Sequence, residues 1–363
     1  MTAFQSYTPD IDPREPDEDE QAAAITETML KIAGRTFADS GHAIRSVHAK
    51  SHGLLKATCE VLADLPAPYA QGLFAQRGLH EAVIRFSTVP GDMLPDKIST
   101  PRGMALKILG VEGARLEGSE ADSTQDFIGV NGTTFSTASP KAFHANLKLV
   151  AATTDKMEDT KEVISAVMRG VEKVAETFGG HVGLARALGG EPPHHILGET
   201  FYTQLPIRYG DNIAKLQFAP ATPALKALTG QKIDISAGDD VLRQAVIDFF
   251  AVHAAIWELR VQLCTNLDDM PIADPTKEWD ETQSPFVRVA LLKAPRQIAW
   301  SAERSIAVDD GMGFSPWHGI AAHRPLGTFM RLRKMAYSQS QRFRSERNPH
   351  PVTEPTSLQD FPA

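Results

Sequence analysis

The pattern of apolar and polar residues along the chain first predicts a series of short strands. Five segments are rich in β-branched residues and bounded by turn-forming or polar residues, which is typical of strands. They are residues 81–91, 103–109, 126–130, 214–218 and 286–292. Residues 43–53 mix small, polar and β-branched residues in a similar way, and this predicts a further strand leading into a turn at Gly53.

Longer apolar patterns with a period near 3.6 residues predict helices. Residues 21–34 and 155–178 have this pattern, and a Gly pair stops the second. Residues 239–263 fit either one long helix or a helix followed by a strand. Because strands come early and close together while helices concentrate after residue 140, the order indicates an α+β fold. We expect an antiparallel sheet or barrel with helices packed outside it.

One predicted strand carries a charge where an ordinary core would be apolar. Strand parity places four residues of segment 81–91 on one face, namely Val83, Arg85, Ser87 and Val89. A buried charge needs a partner, so this face is expected to meet an anion.

A second unusual segment, residues 331–344, has no Gly or Pro and predicts a continuous helix. On that helix Arg333, Tyr337 and Arg344 share one face, because residues four and seven positions apart lie above one another. A guanidinium one turn from a phenol favours the phenolate, which could bind a ferric ion. The second arginine could hold a carboxylate. The alternative is an amphipathic surface helix whose basic side faces solvent or an acidic partner.

Composition and charge narrow the class of protein. The 363 residues are 42% hydrophobic and 23% charged, as in soluble globular proteins. A formal net charge of −8 argues against nucleic acid or an anionic membrane as the main partner. The two cysteines lack metal-type spacing, and no segment approaches the ~18 apolar residues that would span a bilayer. Since no signal-peptide pattern is present either, we expect a cytoplasmic protein.

The two ends of the chain differ from its middle. Residues 1–20 contain three prolines and end in an acidic run, which predicts a flexible acidic arm. We expect residues 21–350 to form a single domain, followed by a C-terminal tail at residues 351–363. Because the chain has no Gly-rich phosphate loop, nucleotide enzymes are poor candidates.

Five short motifs follow one another over about 300 residues. They are Arg45-Ser-Val-His48-Ala-Lys, Arg85-Phe-Ser87-Thr-Val-Pro-Gly, Pro101-Arg-Gly103-Met-Ala-Leu-Lys, Asp126-Phe-Ile-Gly-Val130-Asn131-Gly-Thr-Thr-Phe135 and Arg333-x-x-x-Tyr337. In content and order they resemble the haem-binding core of the catalase family. The resemblance implies an eight-stranded antiparallel β-barrel with surrounding helices and a haem b packed against it.

The resemblance also implies roles for the matching residues. Tyr337 would be the proximal iron ligand, and Arg333 would stabilise its phenolate. His48 would be the distal acid/base, with Ser87 as its hydrogen-bond partner. A distal imidazole moves a proton from the inner to the outer oxygen of a bound peroxide, so that water leaves and a ferryl species forms.

Further positions match residues that contact the haem in the family. The arginines that would hold the haem propionates are Arg45, Arg85 and Arg344. The residues that would line the haem pocket are Val47, Phe135 and Phe143.

The chain departs from the family pattern on the distal side. Catalases place an Asn directly after the Gly of the fourth motif, where this chain has Val130, with Asn131 one step later. If the register holds, the distal side loses an amide that would position hydrogen peroxide. A bulge at Gly132 would instead turn Asn131 inward, where it would take part in catalysis.

The chain ends soon after the predicted ligand helix, and residues 314–319 and 323–327 resemble a compact subgroup of catalase-related peroxidases. The resemblance therefore implies a haem peroxidase that reduces hydrogen peroxide or organic hydroperoxides, with weak or no catalase activity. The alternatives are a haem protein that rearranges or cleaves fatty-acid hydroperoxides, and a haem-binding protein without turnover. The expected partners are a peroxide, a small organic reductant and other copies of the chain in a homo-oligomer.

Overall fold

Nine strands form the centre of the computed structural model, which describes residues 3–154, 190–359 and 361–362. The strands are β1 (Ser51–Val61), β2 (Gly78–Thr88), β3 (Arg102–Ile108), β4 (Gln125–Val130), β5 (Phe201–Tyr202), β6 (Ile207–Tyr209), β7 (Asn212–Pro220), β8 (Ala255–Leu263) and β9 (Val287–Ala294). All named pairs of strands are antiparallel.

Eight of these strands close into a barrel. Hydrogen-bonded neighbours follow the order β5, β4, β3, β2, β1, β9, β8 and β7, and β5 also pairs with β7, which closes the ring. β6 pairs with the first part of β7, where Ile207 faces Ala214, while β5 pairs with a later part of that strand. The predicted α+β fold with an eight-stranded antiparallel barrel is therefore confirmed.

The strands alternate between an inner and an outer apolar cluster. On β2, Ile84 and Phe86 belong to the large cluster inside the barrel. Val83 belongs to a second cluster, with Leu54 of β1 and Val308. Because successive residues of a strand face opposite sides, Arg85 and Ser87 lie on the outer face with Val83. The predicted parity of this strand therefore matches the structure.

Four longer helices surround the barrel in the described ranges. They are α1 (Glu18–Ser40), α2 (Pro140–Thr154), α3 (Val241–Val252) and α4 (Thr328–Ser345). Helices α1, α2 and α4 share an apolar cluster that includes Met29, Leu147 and Ala336. None of the helices in the described residues has both the length and the apolar character needed to cross a membrane.

The structure corrects several predicted elements. Helix α1 is longer than the predicted segment 21–34, and residues 239–263 are a helix followed by strand β8. Residues 43–50 are irregular, and Gly53 lies within β1 instead of at a turn. A Cβ atom there would be only 2.9 Å from Val246, so this glycine permits close packing against α3. The predicted helix at 155–178 lies outside the described residues.

Both terminal segments contact the domain. Arg331, in the first turn of α4, forms ion pairs with Asp12 and with the buried carboxylate of Glu18. Near the other end, Glu354 binds the buried ammonium of Lys107 on β3. These contacts place the N-terminal segment against α4, and the division into 1–20, 21–350 and 351–363 stays a prediction.

Candidate functional site

A cavity lies between the outer face of the barrel and helix α4. It encloses roughly 590 Å³ of space between the protein atoms, a volume that includes its open mouth. Its walls come from the segment before β1, from strands β2, β3 and β4, and from α4. Seven residues that the sequence predicted line it, namely Arg45, Val47, His48, Arg85, Ser87, Tyr337 and Arg344.

His48 is held in an unusual backbone conformation at the barrel wall. Its φ of 54° lies in the left-handed region, which residues other than glycine seldom adopt. The backbone N–H of His48 donates to the carbonyl of Val89 at 2.7 Å, and the guanidinium of Arg85 donates to the carbonyl of His48 at 2.8 Å. Residues held in this way cluster at functional sites. The imidazole Nδ1 lies 3.0 Å from Oγ of Ser87, as predicted.

Gly103 makes room for the imidazole. A Cβ atom at this position would lie 2.5 Å from Cε1 and 2.7 Å from Nδ1 of His48. Gly103 pairs with Ser87 on one side and with Val130 on the other, so these three residues form one cross-strand row, of which Ser87 and Gly103 line the cavity. The absence of a side chain in the middle of the row therefore lets the imidazole lie against the sheet.

The imidazole of His48 is neutral over most of the pH range. Burial, followed by the positive charge of Arg85 and two other arginines, lowers the pKa of His48 to about 3. Both effects disfavour the imidazolium ion. The side chain can therefore accept a proton from a bound molecule at neutral pH.

Tyr337 lies on the helical wall of the cavity, in the middle of α4. Arg333, one turn earlier, donates from Nη2 to the phenol oxygen at 2.7 Å, and its Cζ lies 5.1 Å from the ring centroid. The predicted pair is therefore formed. The hydrogen bond fixes the position of the phenol oxygen, which is a hard ligand suited to iron(III).

The three other predicted arginines converge on one turn of chain. That turn includes Asp309 and belongs to a π-helical segment, Ile306–Asp310. Arg85 donates to the Asp309 carboxylate at 2.7 Å. Arg45 and Arg344 donate to its backbone carbonyl at 2.5 and 2.6 Å. Such π-helical turns occur frequently at functional sites, but the sequence offered no pattern that predicted this one.

The cavity has more positive charge and more hydrogen-bond donors than its own residues satisfy. Nε of Arg344 and Nε2 of Gln341 line the cavity region and have no hydrogen-bond partner among the described residues. Burial and neighbouring arginines lower the pKa of Arg45 well below its usual value and that of Arg344 to about 10. This site therefore fits an anionic ligand. Gln341 was missed, although it follows Tyr337 by one helical turn on the same face.

Two predicted pocket residues lie elsewhere. Phe135 and Phe143 pack against each other, with ring centroids 5.6 Å apart, and both contact Phe329 of α4. They are not among the described residues that line the cavity. The structure therefore gives them a place in an aromatic cluster, and we leave them out of the proposed site.

Asn131 also lies away from the cavity in the described structure. Its side-chain oxygen accepts from the backbone N–H of Arg102 at 2.8 Å, and its Nδ2 donates to Glu191 at 3.0 Å. Val130 instead lies on the same side of the sheet as Gly103 and Ser87, because β4 keeps its register through this residue, but it is not among the described residues that line the cavity. The bulge that would have turned the Asn131 amide inward is not formed.

A second cluster of ionisable residues resembles a metal site but contains its own cation. Asp126, His318 and Glu354 lie close together, and the ammonium of Lys107 binds both carboxylates, at 2.8 and 2.9 Å from the two Asp126 oxygens. Although burial opposes the change, hydrogen bonds to Asp126 and Glu354 raise the pKa of His318 to about 9. Two positive side chains therefore balance the two carboxylates, and this network joins β3, β4 and the C-terminal segment.

Solved structures of catalases share this fold. Catalase A from Saccharomyces cerevisiae matches with a TM-score of 0.60 at 17% sequence identity, over 87% of this chain and 64% of that chain. A fungal catalase gives a TM-score of 0.59 at 16% identity, over 96% and 68% of the two chains. A bacterial catalase gives 0.54 at 17% identity, over 98% and 67%.

Because the sequence identities are only 16 to 17%, the likeness establishes a catalase-like fold and nothing beyond the fold. This chain spans about two thirds of the length of the catalases that it matches. No protein-family model and no curated protein sequence matches the chain.

Proposed function

We propose that this protein binds haem b and acts as a peroxidase, with weak or no catalase activity. The observation that carries the proposal is the arrangement of one cavity: an Arg-paired tyrosine on its helical wall and a neutral, Ser-bonded histidine on its barrel wall. Their presence at one cavity supports a cofactor that Tyr337 would hold and beside which His48 would move a proton.

The described residues fit haem in several respects. Tyr337 would supply an oxygen ligand for iron, and the hydrogen bond from Arg333 fixes the position of that oxygen. The unpartnered Nε of Arg344 and the positive charge around it suit a propionate. Haem, when bound, supplies the redox chemistry of peroxide reduction, while the protein supplies binding, orientation and proton transfer.

Proton transfer is assigned to His48. A neutral imidazole beside the bound peroxide accepts the proton of one oxygen and donates it to the other, which becomes the leaving water. The hydroxyl of Ser87 at 3.0 Å from Nδ1 fixes the ring orientation and leaves Nε2 for the substrate. Gly103 keeps the space for this ring.

The peroxidase activity is favoured over catalase activity because of Val130. Its position gives the row with Gly103 and Ser87 an isopropyl group, which cannot donate a hydrogen bond to a peroxide. Disproportionation needs a second hydrogen peroxide to be oriented at the same site. Reduction by an organic donor does not need that orientation.

A Val130→Asn variant tests this assignment. We expect the wild-type protein, loaded with haem, to oxidise an organic donor with hydrogen peroxide while releasing little oxygen. The variant should release oxygen about tenfold faster, because one well-placed donor typically changes such a rate by at least that factor. An oxygen electrode and a donor-oxidation assay on the same samples measure the two activities.

Val130→Leu is the matched control, since leucine is close to asparagine in size and has no amide. Its oxygen release should stay at the wild-type level. Rapid oxygen release by the wild-type protein would contradict the role given to Val130. Absence of any haem absorption after reconstitution would contradict the proposed function as a whole.

The pH dependence of the peroxide reaction provides another prediction. Because the pKa of His48 is lowered to about 3, the imidazole stays neutral from pH 8 down to about pH 4 and is protonated only below that. The rate of reaction with peroxide should therefore be nearly constant between about pH 5 and pH 8 and fall toward pH 3. Stopped-flow pH jumps, which are faster than acid unfolding, measure this. A titration near the ordinary histidine value of ~6.5 would contradict it.

The remaining expectations of the sequence stay predictions. They are the use of a small organic reductant, cytoplasmic location and self-association. The fatty-acid hydroperoxide alternative is tested by product analysis with such a substrate in the absence of reductant. Rearranged products formed without donor oxidation would favour that alternative over peroxidase activity.

A further inference from the structure

Asp309 has no role in the site proposed so far, yet both of its carboxylate oxygens accept hydrogen bonds, and its arginine partners line the cavity. One carboxylate oxygen accepts from Nε of Arg85 at 2.7 Å and lies 3.3 Å from Nη1 of Arg45. The other oxygen accepts from the hydroxyls of Ser51 and Ser305 at 2.6 and 2.9 Å. Burial alone would raise the pKa of Asp309, but the two arginines lower it below its usual value, so that the carboxylate is ionised.

The charges in contact at this wall do not balance. Three guanidinium groups meet at Asp309, since Arg344 also binds its backbone carbonyl, and among the described residues Asp309 supplies the only carboxylate that forms ion pairs with them. The neighbouring Asp310 carboxylate is directed to other partners, His42 at 2.9 Å and Asn348 at 3.4 Å. Three positive charges therefore meet one ion-paired carboxylate, and Asp310 adds a weaker attraction for Arg45 and Arg344 without forming an ion pair with either. The wall keeps an excess of positive charge.

We propose that Asp309 is an internal counter-ion that sets the charge of this wall to match a ligand with two carboxylates. The inference rests on the proposed haem function, because haem b carries two propionates. Asp309 itself is a positioning residue: it acts on the ligand through the arginines that it neutralises and orients. Without it, three buried cations would face two carboxylates.

One substitution can remove the negative charge of Asp309 and keep its hydrogen bonds. In an Asp309→Asn variant, the amide oxygen can still accept from Arg85, and the amide N–H groups can donate to the two serine hydroxyls. The geometry is therefore retained while one negative charge is removed. An Arg45→Gln variant breaks the same ion pair from the other side and removes one positive charge.

The test compares the affinity for haem with that for haem dimethyl ester, which has the same ring and iron but no ionised carboxylates. Soret titrations of each protein give the ratio of the two affinities. Asp309→Asn should raise the ratio about tenfold over wild type, and Arg45→Gln should lower it about tenfold, which is the lower end of the effect of one nearby charge. A purely structural role moves both variants in the same direction or leaves the ratio unchanged, and either result would overturn the proposal.

Asp310→Asn is the matched control, because it makes the same charge change one residue away without losing a carboxylate contact to an arginine. Its ratio should change much less than that of Asp309→Asn. If Asp309→Asn does not fold, the double variant R45Q/D309N replaces it. Its ratio should return from the Arg45→Gln value to near that of wild type, and a ratio that stays low would contradict the inference.

The same titrations separate this inference from the proposed function. A wild-type protein that binds neither haem nor its ester contradicts haem binding itself. A wild-type protein that binds haem, with variants whose ratios do not diverge, contradicts only the role of Asp309.

Discussion

A Tyr337→Phe variant is expected to lose most of its haem. The substitution removes the oxygen that would bind iron, together with the 2.7 Å hydrogen bond from Arg333, and leaves the rest of the cavity wall in place. Haem would then be held by its propionates and by apolar contacts alone. We expect the haem that remains bound after gel filtration to fall at least tenfold, since a metal–ligand bond contributes more than the ~1.4 kcal/mol of one factor of ten. Absorption at the Soret band measures the bound fraction.

The stability of the Tyr337→Phe variant is measured separately from its haem content. Loss of one partly exposed hydrogen bond should lower the stability of the haem-free protein by only about 1 kcal/mol, which thermal unfolding followed by circular dichroism detects. Tyr7→Phe is the matched control, because this ring stacks under Arg208 at 4.6 Å, in the N-terminal segment. A Tyr337→Phe protein that keeps an unchanged haem spectrum would make α4 a basic surface helix, as the alternative interpretation of the sequence has it.

Local periodicity was sufficient to predict part of the cavity. Residues on one face of a strand or helix need no knowledge of the rest of the fold, and so Arg85 with Ser87, and Arg333 with Tyr337, were paired from spacing alone. Their convergence at one cavity depends on distant segments of the chain. The ordered set of five motifs was needed to predict that convergence.

Other features depend on contacts that no local pattern contains. Strand β5 has two residues and closes the barrel through its pairing with β7, so its own sequence carries almost no strand signal. Gly103 matters because the imidazole of His48 crosses its position, which follows from the register of β2 and β3. Asp309 lies in a π-helical segment, and its importance arises from three arginines on other elements.

The direction of the Asn131 side chain shows how a local rule can leave two outcomes open. The sequence permitted either a continuous β4, with Val130 at the cavity, or a bulge that turns Asn131 inward. In the structure β4 pairs regularly with β3 up to Val130 and Gly103. The Asn131 amide then binds the backbone of Arg102 and the carboxylate of Glu191, which are brought to it by the fold. Tertiary hydrogen bonds decide between the two outcomes.

A His48→Asn variant should bind haem normally and react with peroxide about a thousandfold more slowly. Asparagine is chosen because it tolerates the positive φ of this position, whereas alanine would add backbone strain to the loss of the imidazole. The amide has no basic nitrogen, so it cannot take the proton from the inner peroxide oxygen, and general acid–base catalysis of this kind contributes about 10² to 10⁴ in rate. Stopped-flow absorption of the haem on mixing with hydrogen peroxide measures the second-order rate constant.

A Ser87→Ala variant tests whether proton transfer depends on the orientation of the imidazole as well as on its presence. It removes the 3.0 Å partner of Nδ1 while keeping the imidazole, and a lost orienting hydrogen bond of this kind should slow the reaction by about tenfold. The two variants should therefore rank in a fixed order, with His48→Asn slowest, Ser87→Ala intermediate and wild type fastest, at equal haem content. A His48→Asn protein that reacts as fast as Ser87→Ala would mean that the imidazole does not move the proton. Acid–base catalysis would then have to come from another group at the cavity, and His48 would be a structural residue of the barrel wall.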